Sequence, residues 1–157
     1  MHQLASRRSL STLFAAGLLC LALAPTLHAA GTSLQPDTAK LSLKQCMKQM
    51  GRDFKMVKRQ VLDAAKNKDT AQRVADMIQL ATQAQTLTPP HIAQMPTDQQ
   101  AGALAAYKAQ IGKLIDHLKR LHEELMANGN AAARRTVIAI ERIMKQGHER
   151  FAPRKHR

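Results

Sequence analysis

The stretch LAAYKAQIGKLIDHLKRLHEEL, residues 104–125, decides the fold of this chain. Its apolar side chains recur at alternating intervals of three and four residues, at Leu104, Tyr107, Ile111, Leu114, Leu118, Leu121 and Leu125. This spacing puts them on one face of an α-helix, and so long a run is typical of a seam in a helix bundle. Thr97 and Gln100 predict a capping box where the helix begins. The Asn128-Gly129-Asn130 triplet predicts its end, because Asn and Gly tolerate a left-handed backbone.

A second seam of the same kind precedes it. Its apolar side chains are Leu43, Met47, Met50, Phe54, Val57 and Val61. They predict a first helix from about Leu43 to Asn67, with Ser42 and Gln45 as a capping box. A turn at residues 67–70 then leads to a helix capped by Asp69 or Thr70.

That second helix ends before Thr88-Pro89-Pro90, because two successive prolines remove backbone donors and exclude helical geometry before them. A loop follows from there to Pro96. After the residue 104–125 helix, a fourth helix spans about Ala131 to Phe151. Short turns favour antiparallel neighbours, so the sequence predicts an all-α, antiparallel up-down-up-down four-helix bundle within residues 31–157.

The first thirty residues have the features of a signal peptide that is removed on export. Arg7 and Arg8 precede an apolar run at residues 10–24, and small residues suited to cleavage follow at 28–31. The run is short for a membrane span. We therefore expect a periplasmic protein with no transmembrane segment after cleavage. Cys46 would then be its one cysteine, which excludes an internal disulfide and a CxxCH haem-attachment motif.

Composition narrows the function classes. The chain has 157 residues, enough for one domain, with 3% aromatic residues and a formal net charge of +13. Such a charge favours acidic partners or a membrane surface. Nucleic acid is not expected as a partner, because the protein is exported and has few aromatic rings for stacking on bases. No carboxylate pair or nucleophile–base set is recognisable, so we do not expect an enzyme.

Antiparallel topology brings two residues from distant parts of the sequence together. The first helix begins, and the fourth ends, at the same end of the bundle. Met47 lies one turn into the first helix and His148 lies in the last turn of the fourth, both on or beside inward seams. A thioether and an imidazole that face one another form an axial ligand pair suited to haem iron.

Several segments, in their order and spacing, resemble the cytochrome b562 family. They are Cys46-Met47-Lys48-Gln49-Met50, Thr88-Pro89-Pro90, Ile111-Gly112-Lys113, Asp116-His117-Leu118-Lys119 and His148-Glu149-Arg150. The resemblance covers nearly all of the chain from Leu43 onward. It implies an antiparallel four-helix bundle with one non-covalently bound b-type haem per chain, held by a Met of the first helix and a His of the fourth.

By that resemblance, Met47 and His148 are the axial ligands of the haem iron. Met77 and Tyr107 match apolar or aromatic positions that pack on the porphyrin, and Gly147 relieves crowding beside the ring. Met144 is also expected at the haem site, and there the chain departs from the family, whose other members place an Arg that can meet a haem propionate. Arg142, Lys145 or a basic residue of the C-terminal tail is expected to take that role.

The resemblance thus implies a periplasmic electron carrier with a six-coordinate haem. The redox partners are unknown, with acidic proteins expected, and the carrier is expected to be a monomer. A different interpretation stays open, in which the same bundle is a haem-free cationic protein that binds other molecules in the periplasm or under stress. Its basis is the high positive charge, the Met-rich core and the missing Arg at position 144.

Overall fold

The computed structural model describes residues 41–151, which form four long helices and two short ones. The elements are α1 (Leu43–Gln60), a 3-10 turn (Ala64–Lys66), α2 (Asn67–Thr86), α3 (Pro90–Ala93), α4 (Thr97–Met126) and α5 (Asn130–Phe151). No strand occurs within these residues, and the predicted all-α four-helix bundle is confirmed. The predicted signal peptide at 1–30 and the basic tail lie outside the described residues.

The long helices pack in the order expected for an up-and-down bundle. Extensive backbone contacts join α1 to α2, α2 to α4, and α4 to α5. The seams predicted from the sequence supply most of the core, in which Val57, Leu118, Leu121 and Ile140 are fully buried. The backbones of α1 and α5 have no such extensive contact. This separation leaves room between the first and last helices at one end of the bundle.

The start of α1 confirms the predicted capping box. The Ser42 hydroxyl accepts a hydrogen bond from the Gln45 main-chain N–H at 3.3 Å, and the Ser42 N–H donates to Gln45 Oε1 at 2.8 Å. These two bonds satisfy donors that the first turn of a helix leaves without partners. The cap at Ser42, five residues before Met47, therefore fixes where α1 begins.

The connection between α1 and α2 differs from the prediction. α1 ends at Gln60 rather than Asn67, and the segment 67–70 is the first turn of α2 rather than a turn between helices. Asp63 starts the 3-10 turn by accepting from the Ala65 N–H at 3.1 Å. Asn67 is buried, and its side-chain amide donates to Asn128, which follows α4, and to Asn130, the first residue of α5. α2 therefore begins before Asp69 and Thr70, without a side-chain cap, and the predicted cap at either residue is wrong.

The start of α4 is placed correctly at Thr97, but the predicted capping box does not form. Pro96 precedes the helix without a side-chain cap, and Gln100 instead donates to the main-chain oxygen of Met95 at 2.8 Å. The preceding loop contains the short helix α3, whose Ile92 is buried against the bundle. At the other end of α4, Asn128 has a φ of 56°, which confirms the predicted left-handed stop.

Candidate functional site

A cavity of about 830 Å³ opens between α1 and α5 at the end of the bundle where α1 begins and α5 ends. α1, the α2–α4 loop, α4 and α5 all contribute to its wall. The residues that line it are Ser42, Leu43, Lys44, Met47, Met50, Gly51, Leu87, Thr88, Pro89, Pro90, Gln110, Ile111, Leu114, Ile143, Met144, Gly147, His148 and Phe151. The lining is mostly apolar, and the volume lies in the range of sites for small molecules and cofactors.

Four of the six predicted site residues line this one cavity. Met47 comes from α1, while Met144, Gly147 and His148 come from the last two turns of α5. Met47 is half-buried and His148 is exposed at the opening. The fold therefore brings the predicted ligand pair to the same cavity from two different helices, as the antiparallel topology required.

The hydrogen bond of His148 defines which ring nitrogen is free. Its Nδ1 lies 2.8 Å from the main-chain oxygen of Met144, one turn earlier in α5. Because a carbonyl oxygen can only accept, Nδ1 is the donor in this bond, and in the neutral imidazole Nε2 then carries the lone pair. A neutral imidazole held in this way through one nitrogen is the usual form of a histidine that binds a metal through the other.

The structure does not bring Met77 and Tyr107 to the cavity wall. Met77 is fully buried in the bundle core. Tyr107 is also buried, and its hydroxyl donates to the Ala84 main-chain oxygen at 2.8 Å. Its ring packs edge-on against Phe151, with 5.6 Å between ring centroids. Because Phe151 lines the cavity, Tyr107 supports the wall from behind.

Lys44 is a wall residue that the sequence reading missed. Within residues 41–151, it is the one lining residue with a permanent charge, and no carboxylate lines the cavity. Arg142 and Lys145, which were expected to replace the family's Arg, are exposed and do not line it. Lys44 precedes Met47 by three residues, a spacing that places both on one side of the helix. This three-residue spacing from Met47 is the feature of the sequence that could have predicted Lys44 as a site residue.

Further apolar wall residues were also missed. The apolar spacing predicts Met50, Ile111 and Leu114 as seam residues and not as site residues, although they line the same cavity as Met47 and His148. It predicts Phe151 only as the end of the last helix. Periodicity shows which side chains turn inward, and it does not show where the helices separate enough to leave a cavity.

Cys46 is adjacent to Met47 in sequence but does not line the cavity. Its side chain is fully buried, and its Sγ lies 3.8 Å from the Leu41 main-chain oxygen. Burial raises the pKa of the thiol above its ordinary value, an effect partly opposed by a hydrogen bond with the backbone. At neutral pH the thiol therefore keeps its proton, and a protonated thiol is a poor metal ligand.

Two glycines leave space at the wall for a flat ligand. A Cβ on Gly51 of α1 would meet no atom within 4 Å, and one on Gly147 of α5 would have its nearest contact at 3.7 Å. The space beside Gly51 is therefore open, whereas a Cβ at Gly147 would make an ordinary van der Waals contact with the Gln110 side chain. A thioether, an imidazole with a free nitrogen, an apolar wall and one cation at the opening together fit a haem with two propionates.

The fold and the cavity define a class of protein, a helical bundle with an apolar cofactor site between its first and last helices. The sequence model of the cytochrome b562 family matches residues 42–152, and the chain belongs to this family of haem-binding cytochromes. The family implies a b-type haem as the cofactor. No curated protein and no solved structure matched the chain. Within the described residues, no helix is long and apolar enough to cross a membrane.

Proposed function

We propose that this protein is a periplasmic electron carrier in which Met47 and His148 are the two axial ligands of a single b-type haem. The observation that carries the proposal is that both residues line one apolar cavity from two helices, with the Nε2 of His148 free to bind. The membership of the chain in the cytochrome b562 family supports the haem.

The two ligands suit a one-electron couple. Imidazole binds iron well in both oxidation states, whereas the softer thioether favours the ferrous state and raises the reduction potential. With Met47 and His148 both bound to the iron, no coordination position would stay open for dioxygen. The haem would supply the redox couple, and the chain would hold the same ligand pair in both oxidation states, which suits electron transfer better than catalysis.

The rest of the wall would hold the macrocycle and set its orientation. Leu43, Met50, Ile111 and Phe151 provide apolar contact surface and exclude water from the iron. Lys44 would direct the propionates toward the opening, since a carboxylate is more stable beside an ammonium group in contact with solvent than against the apolar wall.

The test is haem uptake by the exported protein and two histidine variants. His148→Ala removes the proposed ligand. His117→Ala is the matched control, because His117 Nδ1 also bonds the carbonyl four residues earlier, at 2.9 Å, but does not line the cavity. We expect one haem per chain for the parent protein and for His117→Ala, and much weaker binding for His148→Ala.

Haem content would be measured by the pyridine haemochrome assay, and affinity by optical titration with haemin. A parent protein that neither carries haem nor takes it up at micromolar concentration would overturn the proposal. That result would favour the haem-free cationic binder instead. Recovery of the processed chain from the periplasmic fraction would test the proposed location.

A further inference from the structure

The positive charge of the bundle is concentrated on two of its four long helices. α1 carries six basic side chains and one acidic one, and α5 carries five and two. In contrast, α2 carries two of each sign and α4 carries four of each. The excess charge therefore lies on α1 and α5, the helices that flank the cavity, and is largest on α1.

Four of the α1 cations form a continuous outer surface. Lys48, Arg52, Lys55 and Arg59 are spaced at intervals of four, three and four residues, and all four are exposed. At 3.6 residues per turn they fall within an arc of about 60°, on the side opposite the buried seam, and extend for about 16 Å. We call these four residues the α1 basic face.

The α1 basic face has no acidic partner within the described part of the chain. The neighbouring cation Lys58 forms an ion pair with Glu141 of α5, with 2.7 Å between Nζ and Oε1. Carboxylate partners are also present for four other cations, Lys66, Arg73, Arg120 and Lys145. None of the four residues of the face has one among residues 41–151. The one acid of α1, Asp53, is buried and bonded to Gln49.

The α1 basic face also begins beside the cavity. Lys48 follows Met47 directly, and Lys44, one turn earlier on the same side of the helix, lines the cavity opening. A molecule attracted to this face would therefore be held next to the opening. An uncompensated row of charge raises the rate at which an oppositely charged surface associates with it.

We propose that the α1 basic face is the docking surface for an acidic protein partner. A membrane surface fits the observations less well, because helices that bind membranes insert apolar side chains and the apolar side of α1 is buried in the core. Nucleic acid also fits less well, because stacking on bases needs exposed aromatic rings. Within residues 41–151, Phe54 and Tyr107 are buried and Phe151 is half-buried.

The test compares two variants that have the same net charge. The first replaces Lys48, Arg52, Lys55 and Arg59 with Gln. The control replaces Lys108, Lys119, Arg134 and Arg135 with Gln, two lysines and two arginines that are exposed on α4 and α5 and have no carboxylate partner within the described residues. The probe is fluorescent poly-L-glutamate, with binding measured by anisotropy at low and high ionic strength. Far-UV circular dichroism checks that both variants fold.

We expect the first variant to bind poly-L-glutamate about tenfold more weakly than the parent, because four exposed ion pairs are lost, and the control to change much less. High salt should abolish the difference. Equal weakening in both variants would overturn the proposal, since net charge alone would explain it.

Vesicles of phosphatidylglycerol provide the second probe. If the first variant lost vesicle binding but bound poly-L-glutamate as well as the control does, the face would bind membranes and the proposal would be wrong. If the fourfold variant failed to fold, Lys48→Gln with Lys55→Gln would be compared with Lys108→Gln with Lys119→Gln. Neither probe requires haem, so failure here is distinguishable from failure of the proposed haem ligation.

Discussion

The Nδ1 atom of His148 lies 2.8 Å from the main-chain oxygen of Met144. This relationship gives position 144 a role that does not depend on its side chain, because the backbone carbonyl orients the imidazole whatever residue is present. Met144, which stands where the resemblance led us to expect an Arg, therefore leaves this orientation of His148 intact. It removes a cation only, and the cavity has another cation in Lys44.

Lys44→Gln is expected to weaken haem binding about two- to fivefold, because an exposed lysine–carboxylate pair contributes modestly to affinity. Optical titration with haemin would measure the change. Lys145→Gln is the matched control, since Lys145 is exposed near the same end of the bundle but does not line the cavity.

The same titration with haemin dimethyl ester would identify the group that Lys44 contacts. Esterified propionates have no charge, so the parent protein and Lys44→Gln should then bind equally. An unchanged affinity of Lys44→Gln for ordinary haemin would show that Lys44 does not meet the propionates.

Ser42→Ala is expected to lower the free energy of unfolding by about 1 kcal/mol, the usual cost of removing a helix N-cap. Urea denaturation at neutral pH would measure it. Thr97→Ala is the control, since the capping box that the sequence suggested at α4 does not form. It should change stability by less than about 0.5 kcal/mol. Equal losses in the two variants would contradict the assignment of the caps.

Tyr107 should make stability depend on pH in the alkaline range. Burial, and to a smaller extent the charge of Cys46, raises the pKa of Tyr107 from its ordinary value of 10.0 to about 12. The folded state thus holds the phenol proton more tightly than the unfolded state. Its contribution is fully present below about pH 10 and is lost as the pH rises toward 12.

Urea denaturation between pH 9 and pH 12 would test this prediction. In Tyr107→Phe, which keeps the ring that packs on Phe151, stability should fall less steeply with pH than in the parent protein. At neutral pH the variant should be about 1 kcal/mol less stable, because the hydrogen bond to the Ala84 carbonyl is lost. If the free energy of unfolding fell equally with pH in the parent protein and in Tyr107→Phe, the pKa of Tyr107 would be the same in the folded and unfolded states, and the prediction would be wrong.

Much of the fold followed from local patterns. Thr97 predicted the start of α4, although its capping box does not form, and Asn128 predicted the end, because both signals lie beside the helix in the sequence. The connection from α1 to α2 was wrong for the opposite reason. The side chain of Asn67 is hydrogen-bonded to Asn128 and Asn130, more than 60 residues away in the sequence. A contact between such distant residues cannot be predicted from the spacing of residues near Asn67.

The candidate site could likewise be predicted only in part from the sequence. Topology was sufficient to bring Met47 and His148 to one cavity. It was not sufficient for Tyr107, which shares a seam with Ile111 but lies behind Phe151 instead of at the wall. Which member of a seam reaches a cavity depends on how far two helices separate, and that distance is a property of the packed bundle.

The central claim is that Met47 and His148 ligate one haem iron together. The most direct measurement is the optical spectrum of the haem-loaded protein beside Met47→Ala and Met56→Ala, a control on the same helix that does not line the cavity. The account predicts low-spin spectra with sharp reduced bands for the parent and for Met56→Ala, and a high-spin or weakly bound haem for Met47→Ala. A Met47→Ala spectrum identical to that of the parent would contradict it.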